Sequence, residues 1–416
     1  MIKKLSSWRS DQMIIKQYTP KIRFKGFSED WSNLQFFETL DSIIDFRGRT
    51  PKKIGLEWSK KGYVALSALN VKNGYIDFSL DNHFGDEELY QKWMGGKELV
   101  AGQVLFTTEA PMGNVAQVPD NQGYILSQRT IAFNVKSSVI KNDFLAVLLK
   151  SPATFNRLES MTSGGTAKGV SQKSMAKLEV DIPSNLQEQT VIGNLFQNVD
   201  QTISLQRRKH KQMQTLKQSL LAKMFPQVGK TEPDIRLKGF SDNWVEVKIG
   251  DIFTVTRGHV LSATKLSVKR SCVNSYPVYS SQTKNNGCMG YYNDYLFDTA
   301  VTWTTDGANA GTVNFREGKF YSTNVNGVLL SNEGYANQAI AEILNRIAYK
   351  HVSKVGNPKL MNNVMAQITI NIPSSFEEQN EISQIFKQLD DTLALQAKQL
   401  KTLDHLKKAL LAKMFV

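Results

Sequence analysis

The sequence predicts a mixed α+β protein: two globular α/β domains joined by two long antiparallel coiled-coil helices, with the halves related by an internal pseudo-twofold repeat. Three observations predict it. The segment from Pro20 to Trp31, PKIRFKGFSEDW, returns from Pro233 to Trp244 as PDIRLKGFSDNW. The segment from Ile182 to Phe225 returns without a gap from Ile372 to Phe415, identical at about 20 of 44 positions and ending both times in LLAKMF. Between the copies lie stretches with little mutual identity, so variable and repeated segments alternate along the chain. At 416 residues the chain exceeds one ordinary domain of about 100–200 residues, and its 41% hydrophobic content is enough to bury real cores.

In chain order the reading gives an N-terminal extension over 1–19, a first variable domain over 20–183 and a first long helix over 184–225. A linker over 226–243, a second variable domain over 244–373 and a second long helix over 374–416 follow. Each variable domain is expected to finish alike, with a helix (about 142–161 and 335–351), a glycine-containing loop, and an alternating strand around 175–182 and 365–372. Ser184 with Gln187, and Ser374 with Glu377, have capping-box spacing, in which the serine hydroxyl accepts the N3 amide and marks a helix start.

From those starts apolar residues recur at steps of three and four. The first helix carries Ile192, Leu195, Val199, Ile203, Met213, Leu216, Leu220 and Met224. The second carries Ile382, Leu389, Leu393, Leu400, Leu403, Leu406, Leu410 and Met414, again the spacing of a coiled-coil seam. Gln206 and Gln396 interrupt the two seams at equivalent positions, either as a facing, hydrogen-bonded pair that fixes register or as two partly exposed glutamines. Pro226 stops the first helix; the second is expected to run to the last residue. A helix of some 38 residues is about 57 Å long. Parallel packing would force the linker of about 18 residues to retrace that length at nearly full extension, about 3.3 Å per residue. Antiparallel packing is therefore predicted, with the variable domains at opposite ends of the pair.

These duplicated segments resemble the specificity subunit of type I restriction-modification enzymes. The resemblance covers nearly everything from residue 20 onward. IPSNLQEQ at 182–189 and IPSSFEEQ at 372–379 match the family's helix entry, and LKQSLLAKMFP at 216–226 and RLKGFSDNW leading into the second domain are of its type. The resemblance implies two target-recognition domains that read a bipartite double-stranded DNA target, one half-site each, and helices that dock two modification (methyltransferase) subunits. It implies also that restriction/translocase subunits join the complex, and that S-adenosylmethionine, ATP and Mg²⁺ act on those partners, with no cofactor bound by this chain.

Composition agrees with an acidic partner: Lys+Arg of 51 against Asp+Glu of 38 gives a net charge of +13. The two cysteines, Cys272 and Cys288, offer neither a disulfide framework nor a cysteine zinc site, which fits a reducing cytoplasm. The N-terminus lacks the apolar core of an export signal, and no run of 18 or more apolar residues is present for a membrane span. The histidines at 83, 210, 259, 351 and 405 have no ligand spacing, so no metal site is expected. None of the 11 prolines neighbours another, so the Asn/Asp-Pro-Pro-Tyr loop that holds a flipped adenine in a methyltransferase is absent. Gly229-Lys230-Thr231 imitates the end of a phosphate-binding loop, but Met224 stands where its first glycine belongs. No catalytic residue is expected. Asp234, Glu246 and Lys248 offer the alternative of a stand-alone metal-dependent nuclease, which the first copy of the repeat does not share; a coiled-coil scaffold that never reads DNA is the other alternative.

DNA-reading candidates are basic and amide residues on loops, because arginine can donate in pairs to guanine, asparagine and glutamine suit adenine, and lysine holds phosphates. In the first domain they are Arg47, Arg49, Lys52 and Lys53, with Gly164, Gly165, Thr166 and Lys168 of a glycine loop. In the second they are Arg257, His259, Gln282, Lys284, Asn285 and Asn286, with Asn357 and Lys359 as counterpart of that loop. The basic run Arg207, Arg208, Lys209 and Lys211 suits a solvated or subunit-binding face or phosphate contact. Trp31 and Trp244, repeated in matched segments, are expected to be packing anchors.

Overall fold

A computed structural model describes residues 19–162, 168–227, 230–281 and 284–416. The chain divides into two compact units, one running to Arg207 and completed by Gln399–Val416, the other comprising Arg208–Lys398. Each unit holds one α/β domain, the first half of one long helix and the second half of the other. The helices span Leu186–Lys223 and Phe376–Lys413.

In the first unit, Ser32–Gln35 pairs antiparallel with Glu179–Ile182, tying the domain's beginning to its end at the mouth of the helix. A four-stranded sheet follows in the order Leu40–Asp45, Thr130–Val135, Val104–Thr107, Val115–Gln117. Beside it runs a three-stranded sheet of Phe84–Gly85, Tyr63–Leu66 and Ile125–Leu126. In the second unit, Val245–Lys248 pairs with Thr369–Ile372 in the same way. Its main sheet has six strands in the order Thr254–Arg257, Asn326–Leu330, Phe297–Thr304, Val313–Ser322, Tyr276–Tyr279, Cys288–Tyr292.

The repeated segments make the same contacts in both units. The N–H of Ile22 donates to the Lys413 carbonyl at 3.0 Å, and that of Ile235 to the Lys223 carbonyl at 2.9 Å. The next residue of each segment forms a two-pronged ion pair with a glutamate of the helix entry: Arg23 with Glu188 at 2.7 and 2.8 Å, Arg236 with Glu378 at 2.8 Å twice. Both glutamate side chains are 1% exposed. The adjoining Gln189 and Gln379 are buried and donate to the carbonyls of Pro183 and Pro373. Trp31 and Trp244 are the packing anchors the repeat suggests, each set edge-on to the phenylalanine that ends LLAKMF: Phe415 at 5.9 Å and Phe225 at 6.2 Å. Thus the first unit's core is closed by Leu411, Met414 and Phe415, from the far end of the chain.

The helix halves run antiparallel within each unit. In the first, Phe196, Asp200 and Arg207 meet Phe415, Lys407 and Asp404 in turn. In the second, Lys217 and Phe225 meet Asp390 and Phe386. The seam itself differs from the sequence reading. Ile192, Ile203 and Ile382 are buried, and Leu195, Val199, Gln206, Leu220, Leu389, Leu393, Gln396, Leu403 and Leu410 are partly buried. Leu216, however, is 47% exposed, and Leu406 is exposed too. Their places are taken by Lys217 and Lys407, whose ammonium groups reach Asp390 and Asp200 across the helix pair. Phe196 and Phe386 are also seam residues, and with partly buried His210 between Gln206 and Met213 the four-three alternation is unbroken. The amphipathic lysine stem packs as an apolar residue would while its head finds a carboxylate. Gln206 and Gln396 are each partly buried, and Gln396 Oε1 has no hydrogen-bond partner among the described residues.

Local boundaries shift as well. The helices begin one residue later than the capping-box reading: Asn185 Oδ1 accepts from the Gln187 N–H at 2.8 Å, and Ser375 Oγ from the Glu378 N–H at 3.2 Å. The later start places Glu188 and Glu378 at N3, where each bonds an arginine and does not fold back on its cap. Ser184 instead meets Ser32 at 2.7 Å. The helix expected over 142–161 is broken into Asn142–Leu148 and Pro152–Ser160, because Pro152 requires a new start. The strands expected around 175–182 and 365–372 shorten to Glu179–Ile182 and Thr369–Ile372, each after a short helix.

Candidate nucleic-acid interface

In the first domain the chain leaves Leu40–Asp45 and turns sharply through residues 46–54. Asp45 accepts from the Arg47 N–H at 2.8 Å, and Thr50 caps a short 3-10 helix, Pro51–Ile54. Arg47, Lys52 and Lys53 stand exposed, with Lys53 Nζ donating to the Gly48 carbonyl at 2.7 Å. Arg49 is only partly exposed: its guanidinium lies 4.4 Å over the Phe46 ring and donates to the Trp93 carbonyl, so much of its donor capacity holds the turn in place.

This turn forms one wall of a cleft of about 750 Å³, shared with Trp58, His83, Gln128 and Arg129. Trp58 and His83 are stacked, with ring centres 5.3 Å apart and planes within 11°. Arg129 pairs with Glu109 at 3.1 Å. The cleft combines cations with an aromatic platform, a combination that suits a polyanion carrying flat bases. Sequence reasoning missed Trp58, His83 and Arg129, whose positions in the chain carry no shared pattern.

Of the glycine loop, Gly164, Gly165 and Thr166 lie outside the described residues. Lys168 is exposed and pairs with Glu159 at 3.3 Å. Its neighbour Gly169 bridges Glu109 on the rim of the cleft, and the Val170 N–H donates to the Thr108 carbonyl at 2.9 Å.

The second domain repeats this clamp. Lys359 bridges Asp306, with Nζ 3.7 Å from its carboxylate, and the Leu360 N–H donates to the Thr305 carbonyl at 2.8 Å. The turn that each clamp holds is closed in the same way, one residue longer in the second domain: Gly113 N–H to Thr107 O at 2.8 Å, Gly311 N–H to Thr304 O at 2.9 Å. The segments TTEAPMGN at 107–114 and TTDGANAGT at 304–312 are therefore structural equivalents. Their Thr-Thr-acid start is the faint signal by which the sequence could have shown it.

Around this clamp the second domain gathers its polar loops. His259 donates its N–H to the Ser322 carbonyl at 3.0 Å, Gly258 to Asn326 at 3.1 Å, and Thr323 to Tyr279 at 2.9 Å. Gly258 cannot be replaced without movement, since a Cβ there would sit 2.0 Å from the Ser322 oxygen. Arg257, His259, Lys284, Asn285, Asn286, Asn357 and Lys359 are all exposed, and Gln282 lies outside the described residues. Asn285 and Asn286 hold left-handed backbone, φ 50° and 53°, in the tight turn before Cys288–Tyr292.

Beneath these loops lies Arg316, another residue the sequence gave no reason to single out. It is 4% exposed, stacks 3.8 Å over the Tyr279 ring, and burial pushes its guanidinium below its ordinary value.

Asp234 is paired with Lys230 at 2.9 Å. Among the described residues no group of three or more His, Cys, Asp or Glu side chains gathers as a metal site. No helix among the described residues is long and apolar enough to cross a membrane.

Two α/β domains built on one plan, each gathering polar and basic loops around the same clamp, define a duplicated recognition protein. The chain belongs to the type I restriction modification DNA specificity domain family, whose model matches residues 33–215 and 241–405. It is 42% identical over 130 residues to a protein named for the N-terminus of a type I specificity subunit of Mycoplasma pneumoniae, covering 30% of this chain and 68% of that one. It is 34% identical over 141 residues to the type I restriction enzyme MpnII specificity subunit of the same organism, covering 33% of this chain and 41% of that one. The crystal structure of a type I restriction-modification system S subunit from M. genitalium superposes with a TM-score of 0.71 at 16% identity, covering 96% of this chain and 99% of that chain, and shares its fold.

Proposed function

We propose that this chain is the non-catalytic reader of a cytoplasmic type I restriction-modification complex. Each domain reads one half-site of a bipartite double-stranded DNA target, and the long helices dock two modification subunits, with restriction subunits joining them. S-adenosylmethionine, ATP and Mg²⁺ act on those partners. The observation that carries the reading is the clamp repeated in both domains, Thr108 with Val170 and Thr305 with Leu360, which presents polar loops over otherwise dissimilar sheets. A shared frame with divergent loops is what two readers of different half-sites require. A net charge of +13 supports a polyanionic partner.

Replacing Arg47, Lys52 and Lys53 together by alanine is expected to weaken binding of the full chain to all duplexes. Each lost phosphate contact reduces the slope of log affinity against log salt by about 0.9. An unchanged slope would remove this turn from the interface. Incubating the chain alone with Mg²⁺ and DNA tests the nuclease alternative, and intact DNA is the expected result.

A further inference from the structure

Arg316 presents an unusual arrangement of charge. It projects from Val313–Ser322 into a cavity of about 130 Å³ whose walls include Asn286, Thr302, Asn309, Asn314 and Asn326. No carboxylate among the described residues lies within 4.0 Å of its guanidinium. The acid next to it in sequence is otherwise engaged, Glu317 with Lys387 at 2.6 Å, and none of the residues lining the cavity is an acid. Its described contacts are neutral: Nε to Thr302 Oγ1 at 3.3 Å, the face of Tyr279, and a hydrogen bond to the Tyr279 side chain. A buried guanidinium is costly without an ionic or strong acceptor partner, and a cation–π contact offsets only part of that cost. The cavity walls are neutral amides and hydroxyls, so the site as a whole is cationic and rich in donors.

The mouth carries a second feature. Asn286 follows Asn285 in left-handed backbone and stands exposed, which ties the cavity to the loop that sequence reasoning had marked for DNA. The cavity thus lies among the polar loops of this domain.

We propose that this cavity receives an acceptor-bearing group of the second half-site, with Arg316 as its buried donor: either the O6/N7 edge of a guanine or a phosphodiester oxygen. The proposal rests on the reading that the second domain binds DNA. A guanine edge would use the two-pronged donor geometry of arginine, and a phosphodiester would use its charge.

The test is enrichment of bound sequences from random duplexes by the full chain, with affinity measured against salt, for the wild type and for Arg316→Met. With guanine bound, the variant loses preference at one position of one half-site by about tenfold or more, and the other half-site is unchanged. With phosphate bound, the enriched sequences stay the same, affinity falls for every duplex, and the salt slope falls by about 1. A folded variant with the same enriched sequences, affinity and slope overturns the proposal. Should Arg316→Met fail to fold, Asn286→Asp places a carboxylate at the exposed mouth in a conformation that aspartate tolerates. Weaker binding by about tenfold is then expected, and unchanged binding overturns the proposal. A wild-type chain that enriches no sequence overturns the DNA reading itself, and this proposal with it.

Discussion

Changing Phe415 to alanine is expected to destabilise the first unit by about 3–5 kcal/mol, the usual cost of deleting a buried aromatic side chain. Phe415 stands near the last residue, yet its ring lies 5.9 Å from Trp31, 5.8 Å from Phe144 and 6.2 Å from Phe196. Those three belong to the segment before the first domain's sheet, to its helix Asn142–Leu148 and to the first long helix. One deletion therefore loosens the junction of all three. Amide hydrogen exchange should report it as lost protection in residues 142–149, far in sequence from the substitution. Loss confined to the last turn of the second helix would show that the first core does not depend on it. Phe225→Ala should do the same in the second unit, where Phe225 packs on Trp244 and Phe386.

Arg23→Met is expected to cost about 3–5 kcal/mol, because it leaves the Glu188 carboxylate buried without a partner. Glu188 is 1% exposed, so water cannot readily replace the guanidinium. The double change Arg23→Met with Glu188→Leu should recover most of the loss, since a buried ion pair and an apolar pair of similar volume differ little in net stability. Chemical denaturation of the two variants separates the cases: a double variant as unstable as the single one would mean that the arginine acts through packing and not through its charge. Arg236 and Glu378 provide the internal control in the second unit.

The large features of the fold were legible because they repeat. A duplicated LLAKMF and a duplicated helix entry fixed the order of domains and helices, and the reach of the linker fixed their antiparallel sense. Finer placement failed where a polar residue does an apolar residue's work. Lys217 and Lys407 occupy seam positions that hydropathy assigns to Leu216 and Leu406 beside them. Ser184 and Ser374 looked like caps until Asn185 and Ser375 took the role, a difference of one residue that pattern alone could not resolve.

At the candidate site, exposed loop cations were readable, but the partners that shape the site were not. Arg49 looked like Arg47 in the sequence and differs from it by lying on Phe46. Arg316 was one of 51 cationic residues, distinguished only by a burial that depends on the sheet around it. The stacked Trp58 and His83 come from separate segments joined by the bridge of Ser59 to Phe84.

The central claim is that the two domains are independent readers of one bipartite DNA target. Its most direct measurement is a map of N6-methyladenine in a host carrying the complete modification complex, made before and after residues 32–175 are exchanged for the first domain of another family member. The account predicts a bipartite methylated sequence in which one half changes and the other persists. A map in which both halves change together, or in which no bipartite sequence emerges, would contradict it.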